Sequence, residues 1–377
     1  MRFTIFFAIF ISFFFIIHAF AYWRLRTAFG RGSWQKPVLA LFIVMFALVV
    51  FGRTPSVQSL QLWMIWIIYT WQGVIIFSAL AFFTLDLAGG FLRLIDAIFK
   101  TGIRNFYTPW RRGIAGLALS FFLSIFAYWQ AHNVQAVHIA VYTDKIISGS
   151  DIRVAAVSDL HLGNFIGAKR LERVAGIISE ANPDILVFLG DIVDTDMSGR
   201  MEEASIIERI VPHGGGFAVL GNHEGFRGPE QAIAFFEHGG LRVLRNKAVE
   251  SLGITIAGVD DPFFGVTVEQ EIEMLQGLDS SNFILFLRHR PGYRLEKSGL
   301  YDLQLAGHTH GGQIWPAGII AARVNKAGQG LTHKVGDAGE SILYTMNGAG
   351  FWGPPMRFGS PPEVLVVDIV GTGKAIE

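Results

Sequence analysis

A chain of 377 residues that is 51% hydrophobic, 16% charged and free of cysteine is not wholly water-soluble, because soluble domains carry about 25% charged residues. The lack of cysteine also excludes disulfides and thiolate metal sites. The zero net charge is a cancellation: residues 1–132 hold 11 Lys/Arg against 2 Asp/Glu, and the remainder holds 20 against 29. A net of +9 followed by a net of −9 argues for two physically distinct regions. They are expected to be a transmembrane region over 1–132 and a separate domain over 133–377.

Four apolar runs fill the first region, at about 3–23, 37–52, 62–83 and 113–129. A bilayer crossing takes about 20 apolar residues. The first and third runs meet this easily, the fourth just does, and the second is short. Trp23, Trp63, Trp110, Tyr128 and Trp129 stand near run ends, where amphipathic rings favour the headgroup layer. Four all-α spans are therefore expected. The loop after the first run carries Arg24, Arg26, Arg31 and Lys36, and the loop before the fourth carries Arg93, Lys100, Arg104, Arg111 and Arg112. Short basic loops stay cytoplasmic, which places the N-terminus and everything after Trp129 on the extracytoplasmic side. That count treats Pro37 to Gly52 as a crossing. Ala19-Phe20-Ala21 has the look of a signal-peptidase site, but further spans follow it and the run before it is long, so retention is expected. Residues 85–112, a mix of apolar, basic and Trp residues, suit an interfacial helix or a solvated loop.

From about Val134 the pattern turns to short β-branched runs alternating with helical stretches. Strands are expected at 154–157, 185–189, 217–220, 254–259, 283–287, 303–306, 342–346 and 364–369. Helices are expected at 168–181, 201–211, 229–238 and 268–275. This alternation, closing on a run of strands, specifies a layered α/β domain.

Polar clusters follow five of these strands: Ser158-Asp159-Leu160-His161, Gly190-Asp191-Ile192-Val193-Asp194, Gly221-Asn222-His223-Glu224, Arg288-His289-Arg290-Pro291 and Gly307-His308-Thr309-His310-Gly311-Gly312. In open α/β sheets, sites form beyond the carboxyl ends of strands, so the five would meet in one crevice. Carboxylate, imidazole and amide oxygen together suit Mn, Fe or Zn, whereas an all-oxygen set would suit Mg or Ca. A carboxylate such as Asp191 can bridge two cations about 3.5–4 Å apart. Two such ions activate water and clamp phosphate oxygens during in-line displacement.

The five clusters, in this order, resemble the calcineurin-like metallophosphoesterase superfamily over roughly residues 150–370. The stretch Gly307 to Gln313 and the ending Gly348 to Glu363 are similar to its bacterial membrane-associated phosphodiesterase branch. The resemblance implies a β-sandwich flanked by helices and two divalent metal ions. It places Asp159, His161 and His310 on the first ion, Asp191 as the bridge, and Asn222, His289 and His308 on the second. His223 would be the acid that protonates the leaving oxygen or steadies the phosphoryl group.

His138, His213, His238 and His333 read as ordinary surface or hydrogen-bonded histidines. Asp194 and Glu224 would either orient a ligand or be solvated. Asp260-Asp261-Pro262 reads first as turn chemistry. Arg290, directly after a ligand position, is a better phosphate contact than Arg227. Phe351, Trp352 and Phe358 would pack under a Pro/Gly-rich loop or form an apolar lip. Gly214-Gly215-Gly216 and the Arg288/Arg290 pair have no assignment. The expected partners are the lipid bilayer, in a bacterial inner membrane, and a phosphate-containing, lipid-linked substrate. The expected activity is phosphodiester or pyrophosphate hydrolysis by metal-activated hydroxide. Alternatives are a pyrophosphatase of the UDP-2,3-diacylglucosamine type and, from another class, a membrane sensor or scaffold with a ligand-binding phosphoesterase-like domain. Nucleic acid is not expected, because a net −9 repels a phosphate backbone.

Overall fold

The computed structural model describes residues 2–51, 61–226, 228–292, 299–336 and 339–373. It divides into two compact units, Met1–Trp129 with Gly353–Met356, and Gln130–Trp352 with Arg357–Glu377.

The first unit is built on helices α1 (Arg2–Phe29), α2 (Gln35–Phe51), α3 (Leu62–Phe99) and α4 (Pro109–His132). Among the described residues three helices, not the four expected, are long and apolar enough to cross a membrane: Phe7–Phe29, Leu62–Phe99 and Pro109–His132. The correction concerns α2, whose 17 residues extend about 26 Å at 1.5 Å per residue, short of a hydrocarbon core of about 30 Å. The third run also does not stop at Phe83. It continues as one helix of 38 residues to Phe99, where Lys100 adopts a left-handed cap. The expected interfacial helix or loop over 85–112 is thus the end of α3, a short 3-10 turn at Ile103–Phe106, and the start of α4. Asp86 is accommodated because Arg24 bonds its carboxylate and Arg112 Nη1 lies 3.4 Å from the same oxygen. Phe14, Ile17, Ala21, Phe42, Val49, Ile68 and Ile75 form the unit's core. Small residues permit close helix approach; a Cβ on Gly116 would stand 2.2 Å from the Phe82 ring.

Among the described residues the second unit holds two six-stranded sheets. The first contains β1 (Gln135–Ile147), β2 (Ile152–Val157), β3 (Ile185–Phe188), β4 (Gly216–Ala218), β5 (Leu241–Val243) and β12 (Glu363–Gly373), in the order β1-β12-β2-β3-β4-β5. The second contains β6 (Lys247–Ser251), β7 (Ile254–Gly258), β8 (Phe283–Leu287), β9 (Leu303–Ala306), β10 (Gly330–Gly336) and β11 (Gly339–Thr345), in the order β10-β11-β9-β8-β7-β6. Alternate residues of each sheet, among them Val154, Ala156, Ile185 and Val187 against Ile256, Leu285, Leu287 and Leu305, share one buried core. That period of two is the pleat, with one face of each sheet turned to the other. The sandwich is the expected α/β architecture.

Helices α5 (Ala168–Ala181), α6 (Met201–Ile210), α8 (Pro229–His238) and α9 (Val268–Gln276) lie where helical spacing predicts them. In α5, Leu171, Val174, Ala175 and Ile178 are buried at that spacing. Two further helices, the four-residue α7 (Asn222–Gly225) and α10 (Ala317–Asn325), were not anticipated, nor were β1, β5, β6 and β10. β1 lies at the sheet edge, with only Val141 and Ile146 fully buried, and β5 has three residues, so neither shows the unbroken apolar run of an inner strand. The unassigned glycines are explained by the turn into β4: Gly215 has φ +98, and a Cβ on Gly214 would be 2.4 Å from Asp184 O.

Candidate metal centre

Strands β2, β3, β4, β8 and β9 end in the five polar clusters, and β2, β3 and β4 run parallel, as do β8 and β9. Their carboxyl ends therefore point the same way within each sheet. The loops after β2 and β3 run side by side: Asp159 N donates to Gly190 O at 3.1 Å and His161 N to Asp191 O at 3.0 Å. The backbone is left-handed at Asp159 (φ 51), His161 (φ 56), Asp191 (φ 52), His308 (φ 70) and His310 (φ 49). Such conformations cost about 1–3 kcal/mol each and gather at functional sites. Close packing holds the turns. A Cβ on Gly307 would fall 1.6 Å from Ser158 Oγ, and one on Gly221 would fall 2.3 Å from Asp191 Oδ1.

Among the described residues, ligand atoms of Asp159, His161 and His310 lie within 4.8 Å of one another, as do those of Asp191, His289 and His308. These are the two sets expected from the sequence, apart from Asn222. Asn222 starts α7 next to His223, whose N donates to Asp191 Oδ1 at 2.8 Å. A third group, His161, Asp194 and His223, adjoins the first.

Tautomers follow from the partners. His289 Nδ1 is 2.8 Å from Leu189 O, a pure acceptor, so Nδ1 carries the proton and Nε2 presents a lone pair. That Nε2 lies 3.1 Å from both Asp191 Oδ2 and His308 Nδ1. Likewise His161 Nδ1 donates to Asp194 Oδ1 at 2.7 Å, turning Nε2 toward His310 Nε2 at 3.0 Å. His310 Nε2 is 3.4 Å from Asp159 Oδ1. Buried ring nitrogens and carboxylate oxygens converging at about 3 Å need a proton or a cation between them, and the donor set fits a pair of divalent metal ions. Histidine, carboxylate and amide donors are those of Mn, Fe or Zn.

The electrostatics agree. Burial disfavours a charged imidazole, yet Asp194 with Asp191 and Asp159 raises His161 to about 9. Burial is likewise outweighed at His289, where Asp191 above all raises the imidazole to about 10. Burial and then the positive charges of His289 and Arg290 drive His308 down to about 3. Burial and the His161 charge push His310 well below its ordinary value. Without cations the carboxylates thus hold protons on His161 and His289. Divalent metal must displace them, so apparent affinity is expected to rise with pH until these imidazoles have lost their protons, at about 9 for His161 and about 10 for His289. Calorimetry in buffers of different ionisation enthalpy should show proton release; pH-independent affinity without release would exclude these imidazoles from the ions.

Two carboxylates left open by the sequence turn out to organise the site. Asp194 Oδ1 accepts from both His161 Nδ1 and His223 Nδ1, each at 2.7 Å, and the histidines hold its carboxyl well below the usual range against the opposing effect of burial. Buried Glu224 accepts from Asp191 N at 2.9 Å, Ile192 N at 2.7 Å, Val193 N at 3.2 Å and Gly221 N at 2.8 Å. A buried unsatisfied donor costs about 1–3 kcal/mol. Glu224→Ala should therefore destabilise the second unit by at least about 3 kcal/mol, measured by denaturant unfolding of the metal-free protein.

Arg357 had no sequence signal. Its guanidinium is fully buried and donates to Gly350 O at 2.7 Å, Asn347 O at 2.7 Å and Ser360 O at 3.0 Å. Nη2 lies 3.1 Å from His310 Nδ1, and burial lowers its pKa to about 10. Arg290 Nε bonds Asp261 Oδ2 at 2.7 Å, and its Nη2 is 3.5 Å from Asn222 Oδ1. Asp261 therefore combines turn chemistry, accepting from Phe263 N at 2.8 Å, with holding Arg290 at the site. Arg288 is instead structural, paired with buried Glu271 at 3.1 Å. Arg227 lies outside the described residues. His138, His213, His238 and His333 are exposed and belong to none of the clusters. Of the three aromatics considered for a lip, Phe351 is buried, whereas the Trp352 ring is 5.9 Å from His223. Phe226 stands 4.8 Å from His223 and Phe263 stands 5.5 Å from Phe226; all three rings are partly exposed.

Residues 152–312 match the family model described as calcineurin-like phosphoesterase. An uncharacterized metallophosphoesterase of Aquifex aeolicus is 35% identical over 67% of this chain and 97% of its own length. Another from Campylobacter jejuni is 29% identical over 77% of this chain and 78% of its own. A transmembrane protein with metallophosphoesterase domain from Danio rerio is 27% identical over 67% of this chain and 62% of its own. The similarity and the clusters agree on metal-dependent phosphoester hydrolysis, the apolar helices are of membrane-spanning character, and the chain belongs to the calcineurin-like metallophosphoesterase family.

Proposed function

We propose that the protein hydrolyses a phosphodiester or pyrophosphate, lipid-linked, at the surface of the membrane that holds it. The observation that carries this reading is the two donor groups, Asp159 with His161 and His310, and Asp191 with His289 and His308, the Asp191 carboxylate lying 3.1 Å from His289 Nε2 and 3.8 Å from His223 Nε2. Asp159, His161 and His310 would hold one ion, Asn222, His289 and His308 the other, with Asp191 between them. Two divalent ions there would supply Lewis acidity toward water and the phosphoryl oxygens. The chain's residues do the rest. Asp194 accepts from His223 Nδ1 and supports the imidazolium form, which would give its Nε2 proton to the leaving oxygen as the P–O bond breaks. Arg290, held by Asp261, faces a phosphate oxygen. The rim of Phe226, Phe263 and Trp352 beside His223 favours a leaving group with apolar or aromatic surface, which supports a lipid-linked substrate. Membrane anchoring raises the effective concentration of such a substrate.

The catalytic unit would lie on the extracytoplasmic side of a bacterial inner membrane. The basic stretches 24–36 and 93–112 share one side only if α2 crosses; with three crossings they fall on opposite sides, and the reading then rests on the flanks of the last span alone. Arg93, Lys100, Arg104, Arg111 and Arg112 precede or open α4, and between Trp129 and Arg153 the only Lys/Arg is Lys145. Basic flanks stay inside, so the chain beyond α4 is exported. A reporter fused after Glu377 should be active outside the cytoplasm; cytoplasmic activity would overturn the assignment. The purified full chain with Mn²⁺ should hydrolyse an aryl phosphodiester, and chelation should abolish turnover. A membrane-lipid extract analysed by mass spectrometry would name the product. Turnover that survives complete metal removal would refute the metal-dependent reading.

A further inference from the structure

Phosphoester hydrolysis at the metal centre makes no use of α10. Unlike α5, which buries an apolar face, α10 has no buried residue. Ile319, Ile320 and Val324 are 49%, 65% and 75% exposed, and Trp315 just before the helix is 53% exposed. At 100° per residue, Ile319, Ile320, Arg323 and Val324 fall within an arc of about 140°, so one face of the helix is aliphatic with a basic residue set into it. We propose that this face is a lipid-docking element, lying in the headgroup layer of the bilayer in which the chain is anchored.

Three observations favour a bilayer as the occupant. Among the described residues three helices are of membrane-crossing length, so a bilayer that holds them would keep the second unit beside a lipid surface. Aliphatic residues with a Trp and flanking Arg323 and Lys326 are the make-up of an interfacial helix. Charge is the third. The second region is strongly acidic, yet between Asp302 and Asp337 the sequence contains no carboxylate and three lysines and arginines, Arg323, Lys326 and Lys334. This is the part of the unit that anionic headgroups would attract rather than repel.

The placement of α10 gives docking a consequence. A Cβ on Gly312 would lie 2.1 Å from Gly318 N, one on Gly318 would lie 2.7 Å from Gly311 O, and Gln329 Nε2 donates to Gly311 O at 2.6 Å. The helix thus rests directly on the loop that carries His308 and His310. Docking does not depend on the phosphoesterase reading. The added consequence, which rests on that reading, is that substrate enters from the bilayer face.

The chain has no cysteine, so single spin labels at Ile320→Cys and Val324→Cys report without competition, with exposed Lys247→Cys on β6 as the aqueous control. The full chain is reconstituted in vesicles of phosphatidylcholine and phosphatidylglycerol. Accessibility to oxygen should exceed accessibility to a water-soluble nickel chelate severalfold at 320 and 324, and the preference should reverse at 247. Adding Ile320→Asp to the Val324→Cys chain should abolish the preference at 324. Labels at 320 and 324 that behave like 247 overturn the proposal. So does shielding from both reagents, which would mean that a second copy or the chain's own helices cover the face.

Discussion

Asp191→Asn is expected to abolish detectable hydrolysis and to lower bound divalent metal below two ions per chain, measured by elemental analysis of the purified protein. Asp191 is buried, with Oδ2 3.1 Å from His289 Nε2 and Oδ1 accepting from His223 N at 2.8 Å. Asparagine keeps the shape and an oxygen for His223 N, and it tolerates the left-handed backbone. What it removes is one negative charge at a place where water screens little, so the loss falls on cation affinity. Alanine would remove that charge as well but add about 1–2 kcal/mol of backbone strain, mixing folding with binding. Full activity with two ions still bound in the asparagine variant would refute the bridging role.

The second large effect belongs to His223. In His223→Ala both ions should remain while turnover falls about 10²-fold or more, the scale of a lost general acid. Its Nδ1 is engaged by Asp194 at 2.7 Å, which leaves Nε2 directed at the site, 3.8 Å from Asp191 Oδ2. Leaving-group dependence separates a proton donor from a positioning group. A nitrophenolate leaves unaided, so aryl substrates should lose much less rate than alkyl ones. Equal losses would reassign His223 to steadying the phosphoryl group, and loss of metal would make it structural. Asp194→Asn should weaken both functions together, because the same oxygen serves His161 and His223.

The parts legible in the sequence were those whose cause is local. Val154 to Val157 and Phe283 to Leu287 are buried on both sides and read as unbroken apolar runs, and the polar residues just after them mark the strand ends. Asp194 and Glu224 could not be placed because their partners are remote: Asp194 lies 29 residues from His223, and Glu224 lies 33 from Asp191. Nothing near Arg357 announces burial. Its position depends on carbonyls of Asn347, Gly350 and Ser360 that only the fold gathers. In the first unit the expected third run stops at Phe83, three residues short of Asp86. Arg24 and Arg112, far apart in sequence, compensate it, and the helix runs on to Phe99.

The left-handed backbone at Asp159, His161, Asp191, His308 and His310 also restricts which replacements the protein can accept. Asp, Asn and His tolerate that conformation and β-branched residues do not, so the peptide geometry selects for metal-binding side chains before any ion is considered. Among random variants at these five positions, folded but inactive proteins should be rich in Asn and Gly, whereas Val, Ile and Thr should be missing even from that inactive class. The vocabulary of the metal centre is thus written into torsion angles as well as into donor atoms, and a descendant that abandoned catalysis would keep an outline of the site for as long as it kept these turns.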